Sequence, residues 1–417
     1  MNSYKISYTL HIVCLLLFFA TALFGKEAPL DLLAKSAILI DKDTGTALYE
    51  KNPDIRLPMA STTKVMTALV AYENGKDKFN EPVILSKKAG ETRGSSYLKT
   101  NEKVLFGDLF KAALIVSSNE ATVAMAEHIS GSEEAFVELM NARAKSLGMK
   151  NTHYVNSHGL YAKEHYSTAR DLAILARYVY LNYSAIYETA KLGHGHPESI
   201  DALPRKNVVL QNKNKMLSIK IPGFPNAKGI GLKTGFVNEA GRCLVSAAEN
   251  DGVMLIGVVL GSTTEYFNES AALMAYGFRN YDFTLVADSH VPAARISVTN
   301  GSAKLLIGTT APIHLPAHIN PTSGEITVTY EGEKLKAPIE ANAALSGRIV
   351  IKDGDTVLLE QAAVAINSVK VSWIAVVLKW VLGVIFGILA LILIVRIVNG
   401  AIAKNSGKRR NSVTPKV

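Results

Sequence analysis

The C-terminal stretch constrains everything upstream of it. From Val371 to Val395 the chain is apolar almost without a break, with Lys379 its one charged residue, and about 20 such residues cross a bilayer as a helix. A core helix of a water-soluble protein carries a polar face, and this stretch has none. Beyond it lie Arg396, Lys404, Lys408, Arg409, Arg410 and Lys416 with no acidic residue among them. An unbalanced basic tail is expected to stay on the cytoplasmic side, which places the body of the chain outside.

The N-terminus fits that direction. Lys5 precedes an apolar run over Leu10–Phe19, and Ala20, Ala22 and Gly25 offer small residues for cleavage ahead of Lys26. The run is shorter than a membrane span needs and reads as a secretory signal peptide over residues 1–25. The six tail charges account for most of the formal +9. The exported body is then close to neutral, and nucleic acid is excluded as a partner. Of the two cysteines, Cys14 falls in the signal segment, leaving Cys243 with no partner for an internal disulfide.

A chain of 417 residues exceeds what one core organises, so two folded domains are expected. Residues 26–282 mix strand and helix patterns. Ser36–Ile40 and Thr46–Tyr49 flank a turn at Asp43-Thr-Gly45, and Arg242–Glu249 and Val253–Leu260 flank Asn250-Asp-Gly252, two hairpin signals. Between them, Pro58 leads into a helix expected to begin at Ser61, and Ser132 opens another that Gly148 ends. The fold class is α+β, an antiparallel sheet with helices. Residues 290–368 carry short β segments with hairpin turns at Asn300-Gly301 and Asp353-Gly354, a small all-β domain. A transmembrane helix over 371–398 and a basic tail over 399–417 complete the expected order.

Three short motifs carry chemistry: Ser61-Thr-Thr-Lys64, Ser117-Ser-Asn119 and Lys233-Thr-Gly235. Ser-x-x-Lys alone arises by chance roughly once in a chain this long, and Ser96-Tyr-Leu-Lys99 is such a decoy. Ser61 is preferred because positions i and i+3 share a helix face, so Lys64 reaches the hydroxyl of a serine at a helix N-terminus. Helix N-terminal amides favour developing negative charge, making the Ser61 N–H a natural oxyanion donor. Ser117 and Asn119 fall in a turn between two helix-like runs, where caps are the ordinary explanation. Lys233-Thr-Gly235 enters a strand, where glycine permits close backbone approach and lysine can pair a carboxylate.

In this order, roughly 55 and 115 residues apart, the motifs match the set used by penicillin-binding proteins and serine β-lactamases. The chain resembles the low-molecular-mass penicillin-binding D-alanyl-D-alanine carboxypeptidases through Pro58-Met-Ala-Ser-Thr-Thr-Lys64, Ser117-Ser-Asn-Glu-Ala121, His158-Gly-Leu160, Ser167-Thr-Ala-Arg-Asp171 and Gly231-Leu-Lys-Thr-Gly235. The resemblance implies catalysis by Ser61, Lys64 and Ser117, with Asn119, Lys233, Thr234 and Gly235 binding substrate. It implies an oxyanion hole of the Ser61 and Phe236 backbone N–H groups. It also implies peptidoglycan stem peptides as substrate, β-lactams as covalent inhibitors, and no cofactor. The C-terminal span departs from the amphipathic membrane helix that often ends such enzymes.

Competing readings are weaker. Endopeptidase action on crosslinks uses the same acyl chemistry and is the closest alternative. No Glu-x-x-Leu-Asn stretch of the class A β-lactamase type is present, and the intact triplets oppose an inactive wall-binding module. Asp43-Thr-Gly45 occurs once and is explained by a turn, so an aspartic protease is rejected. His194 and His196 have no evident third ligand, so no metal site is expected. His158 and Arg170 read as structural. Gly383 and Gly387 form a small-xxx-small face in the membrane helix, the basis for expecting a homodimer.

Overall fold

The computed structural model describes residues 30–263, 265–316 and 326–410, the last ten of these by backbone alone. The expected signal segment with Cys14, and Lys416 in the tail, lie outside the described residues. The chain divides into two compact units after Phe283.

The first unit is built on one antiparallel sheet. Ser36–Asp41 (β1) and Ala47–Lys51 (β2) form the N-terminal hairpin, and Lys228–Val237 (β7), Gly241–Asn250 (β8) and Val253–Ser262 (β9) form a meander, in the order β2-β1-β9-β8-β7. The order makes β7 an edge strand. β1 is buried at every position, and its alternate residues serve different cores. Ile38 and Ile40 face a helical layer, while Ala37 and Leu39 face a second core. Two-residue periodicity thus puts apolar side chains on both faces of a central strand.

The helical layer comprises Lys64–Gly75 (α1), Phe106–Ile115 (α2), Asn119–Ser130 (α3), Glu133–Ser146 (α4), Ala169–Asn182 (α5) and Ser184–Lys191 (α6). Met66, Leu69, Phe110, Val123, Phe136 and Leu172 meet in its core. α3, α4 and α5 begin at Ser118, Ser132 and Thr168, each accepting a backbone N–H three residues on, the N-cap arrangement. Tyr266–Asn280 (α7) covers the opposite face through Leu273 and Met274.

Two small hairpins interrupt the helical region, Pro82–Ile84 (β3) with Lys103–Leu105 (β4), and Glu198–Ala202 (β5) with Arg205–Leu210 (β6). The sequence pattern does not announce either.

Phe283–Ala287 (β10), which opens the second unit from Thr284 on, pairs with Ile313–Pro316 (β13). Ala294–Ser297 (β11), Lys304–Thr309 (β12), Ile326–Glu331 (β14), Ala344–Asp353 (β15) and Thr356–Ala365 (β16) form a sheet in the order β11-β12-β16-β15-β14. Leu305, Ile307, Ile349, Ala363 and Ala365 make its core. Trp373–Arg410 (α8) follows as one helix that continues through residues 399–410. Within Trp373–Gly400 an 18-residue window reaches a mean hydropathy of 3.0 and is unburied. At 1.5 Å per residue this stretch is about 42 Å long, ample for a hydrocarbon core of about 30 Å. It is a candidate membrane span by length and composition.

Candidate active site

Ser61 sits in the 3-10 turn Ala60–Thr63, and the α-helix proper begins at Lys64. The expected helix start at Ser61 is therefore corrected by one turn. The tighter turn keeps the i to i+3 relation, so Lys64 still reaches the hydroxyl.

Lys64 is fully buried. Its Nζ makes three hydrogen bonds, to Ser61 Oγ at 3.1 Å, Asn119 Oδ1 at 2.6 Å and the His158 carbonyl at 2.7 Å. Burial, then the positive charge of Lys233, hold its pKa well below the usual lysine value, against a smaller opposing pull from Glu120. A neutral amine has two protons and one lone pair. With the protons on the two shorter contacts, the lone pair faces Ser61 Oγ.

Asn119 opens α3, and its amide is used twice. Oδ1 accepts from Lys64, and Nδ2 donates to the Arg93 carbonyl at 2.6 Å, while its backbone N–H donates to Ser95 Oγ at 2.7 Å. Ser117 lies just before the Ser118 cap with φ of 61°, a left-handed conformation that costs a non-glycine residue energy. It lines a cleft of about 170 Å³ together with Tyr97, Asn214, Lys233 and Thr234.

β7 supplies the opposite wall. A register shift between Gly231 and Lys233 re-aims the strand. Lys233 is buried, and its Nζ donates to the Thr234 carbonyl at 3.0 Å. Among the described residues no carboxylate pairs with it. Desolvation alone pushes its pKa down to about 7. Gly235 is where β7 crosses the Ser61 turn, because a Cβ there would lie 2.9 Å from Ser61 N and 3.1 Å from Met59 O. Phe236 follows with its ring half in solvent and the Arg242 guanidinium 5.1 Å over it.

Ser61, Lys64, Ser117, Asn119, Lys233, Thr234 and Gly235, with Phe236 beside them, thus come together from the 3-10 turn and the start of α1, the α2–α3 turn with the start of α3, and β7. A model of the D-alanyl-D-alanine carboxypeptidase family, peptidase family S11, matches residues 23–264. The chain belongs to that family. The D-alanyl-D-alanine carboxypeptidase DacF of Bacillus subtilis is 34% identical over 391 residues, which span 90% of this chain and 97% of that protein. A D-alanyl-D-alanine endopeptidase of Pseudomonas aeruginosa is 35% identical over 228 residues, 53% of this chain and 69% of that protein. Penicillin-binding protein 5 of Haemophilus influenzae superposes with a TM-score of 0.58 at 28% identity, covering 83% of this chain and all of that one. The fold is that of the low-molecular-mass penicillin-binding proteins.

The remaining candidates fall outside this family site. Ser96 and Lys99 are exposed in a non-helical segment. Asp43-Thr-Gly45 is the β1–β2 turn, held by Thr44 N–H and Oγ1 donating to Asp41 Oδ2. His194 and His196 lie in the turn before β5. Arg170 ties Glu50 to Asp54. Cys243 is buried and unpaired, with its thiol pushed up to about 11 by burial.

One participant escaped sequence reasoning. The His158 carbonyl bonds Lys64 and lies 3.5 Å from Ser61 Oγ, so this residue enters through its backbone. Its imidazole is buried beside Glu133, its pKa pushed down to about 4 by desolvation. Glu133 Oε1 accepts from Ser157 N–H at 3.0 Å and Ser157 Oγ at 2.8 Å, pinning the segment that presents the carbonyl. No side-chain pattern could have marked it, since the contribution is a backbone carbonyl.

Proposed function

We propose that this chain removes the terminal D-Ala from peptidoglycan stem pentapeptides through an acyl-enzyme on Ser61. The observation that carries the reading is the Lys64 amine, which is desolvated, bonded to Asn119 and His158, and directed at Ser61 Oγ. Lys64 takes the hydroxyl proton as Ser61 Oγ bonds to the penultimate D-Ala carbonyl carbon. The carbonyl oxygen gains charge against the Ser61 and Phe236 N–H groups. As the C–N bond breaks, Ser117 relays the proton from Lys64 to the departing D-Ala amine. Water then attacks the ester and frees the shortened peptide.

Lys233 and Thr234 hold the terminal carboxylate, since a buried lysine with no acidic partner among the described residues is completed by an anionic substrate. Asn119 orients the substrate amide, and the peptide lies along the exposed edge of β7. Penicillin, which imitates D-Ala-D-Ala, acylates Ser61 and is retained. Residues 26–282 form the catalytic body, 290–368 a spacer or recruitment module, and 1–25 a removable signal. α8 anchors the body on the extracytoplasmic face, with Arg396, Lys404 and Lys408–Arg410 toward the cytoplasm. Gly383 and Gly387 on α8, where a Cβ built on either would meet nothing among the described residues beyond the helix's own backbone, give a surface for dimer contact in the membrane.

The likeness to an endopeptidase supports crosslink cleavage as a second activity of the same site. Incubation of the enzyme with a pentapeptide and with a crosslinked dimer, read by mass, separates the two. Loss of one D-Ala from the pentapeptide is expected. An unchanged pentapeptide overturns the reading.

A further inference from the structure

Ala60, the residue before the nucleophile, has φ of 48°, a left-handed conformation that L-residues with a Cβ avoid. Something must hold it. The Ala60 carbonyl accepts from Thr63 Oγ1 at 2.8 Å. Thr63 Oγ1 in turn lies 2.8 Å from His165 Nε2, and His165 Nδ1 accepts the Val155 backbone N–H at 3.0 Å. An accepting Nδ1 in a neutral ring leaves the proton on Nε2. His165 therefore donates to Thr63, whose own hydroxyl proton remains for the Ala60 carbonyl. The relay has one direction.

The same peptide unit is wedged from two sides. A Cβ on Gly159 would lie 2.0 Å from the Ala60 oxygen, and one on Gly235 would lie 2.9 Å from Ser61 N. The carbonyl of Ala60 and the N–H of Ser61 point in opposite directions from one planar group. Fixing the oxygen therefore aims the N–H. Thr63 and His165 are both buried, so neither is placed to touch substrate.

We infer that His165 and Thr63 are positioning residues that set the oxyanion donor, by holding the Ala60–Ser61 peptide in its left-handed turn. The inference rests on the assignment of Ser61 as the acylated serine. Burial keeps His165 neutral, with its pKa pushed down to about 3, so the relay persists across the working pH range. A donor rotated out of line is lost to the transition state, and removing one oxyanion donor typically slows such enzymes on the order of 10²-fold.

The test is the first-order rate of Ser61 acylation by fluorescent penicillin at saturation, on the full-length chain in detergent, for wild type, Thr63→Val and Thr63→Ser. The rate reads folded molecules, and the labelling amplitude reads their number. Thr63→Val is expected to slow acylation on the order of 10²-fold, with half-saturation changed less than threefold. Thr63→Ser keeps the hydroxyl and is expected within threefold of wild type. A Thr63→Val rate reduced less than tenfold, or Thr63→Ser as slow as Thr63→Val, overturns the inference. Should Thr63→Val give no labelling amplitude, His165→Phe, which keeps a buried ring but removes the donor to Thr63, takes its place, with the same tenfold criterion. Wild-type enzyme that takes up no penicillin instead overturns the assignment of Ser61.

Discussion

Lys233 is a buried lysine with no acidic partner among the described residues, so its replacement tests what the cleft costs the fold. Its pKa of about 7 in the native state compares with about 10.4 in an unfolded chain. Between these values the unfolded chain holds more protons, so wild-type stability rises with pH across that window and the full penalty applies below it. At pH 6 the difference corresponds to about 5 kcal/mol at 1.36 kcal/mol per pK unit. Lys233→Met keeps an unbranched chain and loses the bond to the Thr234 carbonyl, worth about 1 kcal/mol. A net gain of about 3–4 kcal/mol remains at pH 6. Removing a like charge also eases Lys64, with the same sign. At pH 10 only about 1 kcal/mol of penalty is left, and the lost bond offsets it. Thermal unfolding of both proteins in detergent should therefore show Lys233→Met melting about 10 °C higher at pH 6 and level with wild type at pH 10. A destabilised variant at pH 6, or a gain that ignores pH, refutes the reasoning.

With Lys64 as the proposed base, acylation needs its neutral form, and the rate should fall as pH drops through the native pKa of that amine. The acidic limb should move to higher pH in Lys233→Met, because the neighbouring charge that depresses Lys64 is gone; stopped-flow pH profiles read both. Gly235→Ala places a Cβ 2.9 Å from Ser61 N and should lower acylation on the order of 10²-fold, while circular dichroism shows the sheet retained. Ser96→Ala, on an exposed side chain, should leave labelling and melting temperature unchanged.

Much of this arrangement is legible in the sequence because side-chain chemistry and periodicity carry it. The β1–β2 and β8–β9 hairpins follow from alternation and turn residues, and the helix opened by Ser132 follows from cap chemistry. What stays hidden depends on contacts far away along the chain. At the 3-10 turn of Ser61, the Ala60 carbonyl lies so close to Gly159, about a hundred residues distant, that only a residue without a Cβ fits there. Local propensity at Ala60 points elsewhere. The His158 carbonyl is a backbone atom, identical in type at every position. β3 with β4 is too short to show a period, and β5 with β6 turns at Leu203-Pro204 with no Asn-Gly signal.

The central claim is that Ser61 is the acylated residue. Trypsin cutting after Arg56 and Lys64 releases Leu57–Lys64, which holds Ser61, and cutting after Arg93 and Lys99 releases Gly94–Lys99, which holds the decoy Ser96. Enzyme treated with penicillin, digested and analysed by mass spectrometry should carry the added penicilloyl mass on Leu57–Lys64 alone, and Ser61→Ala should carry none. The added mass on Gly94–Lys99, or on the Ser61→Ala protein, would contradict the account.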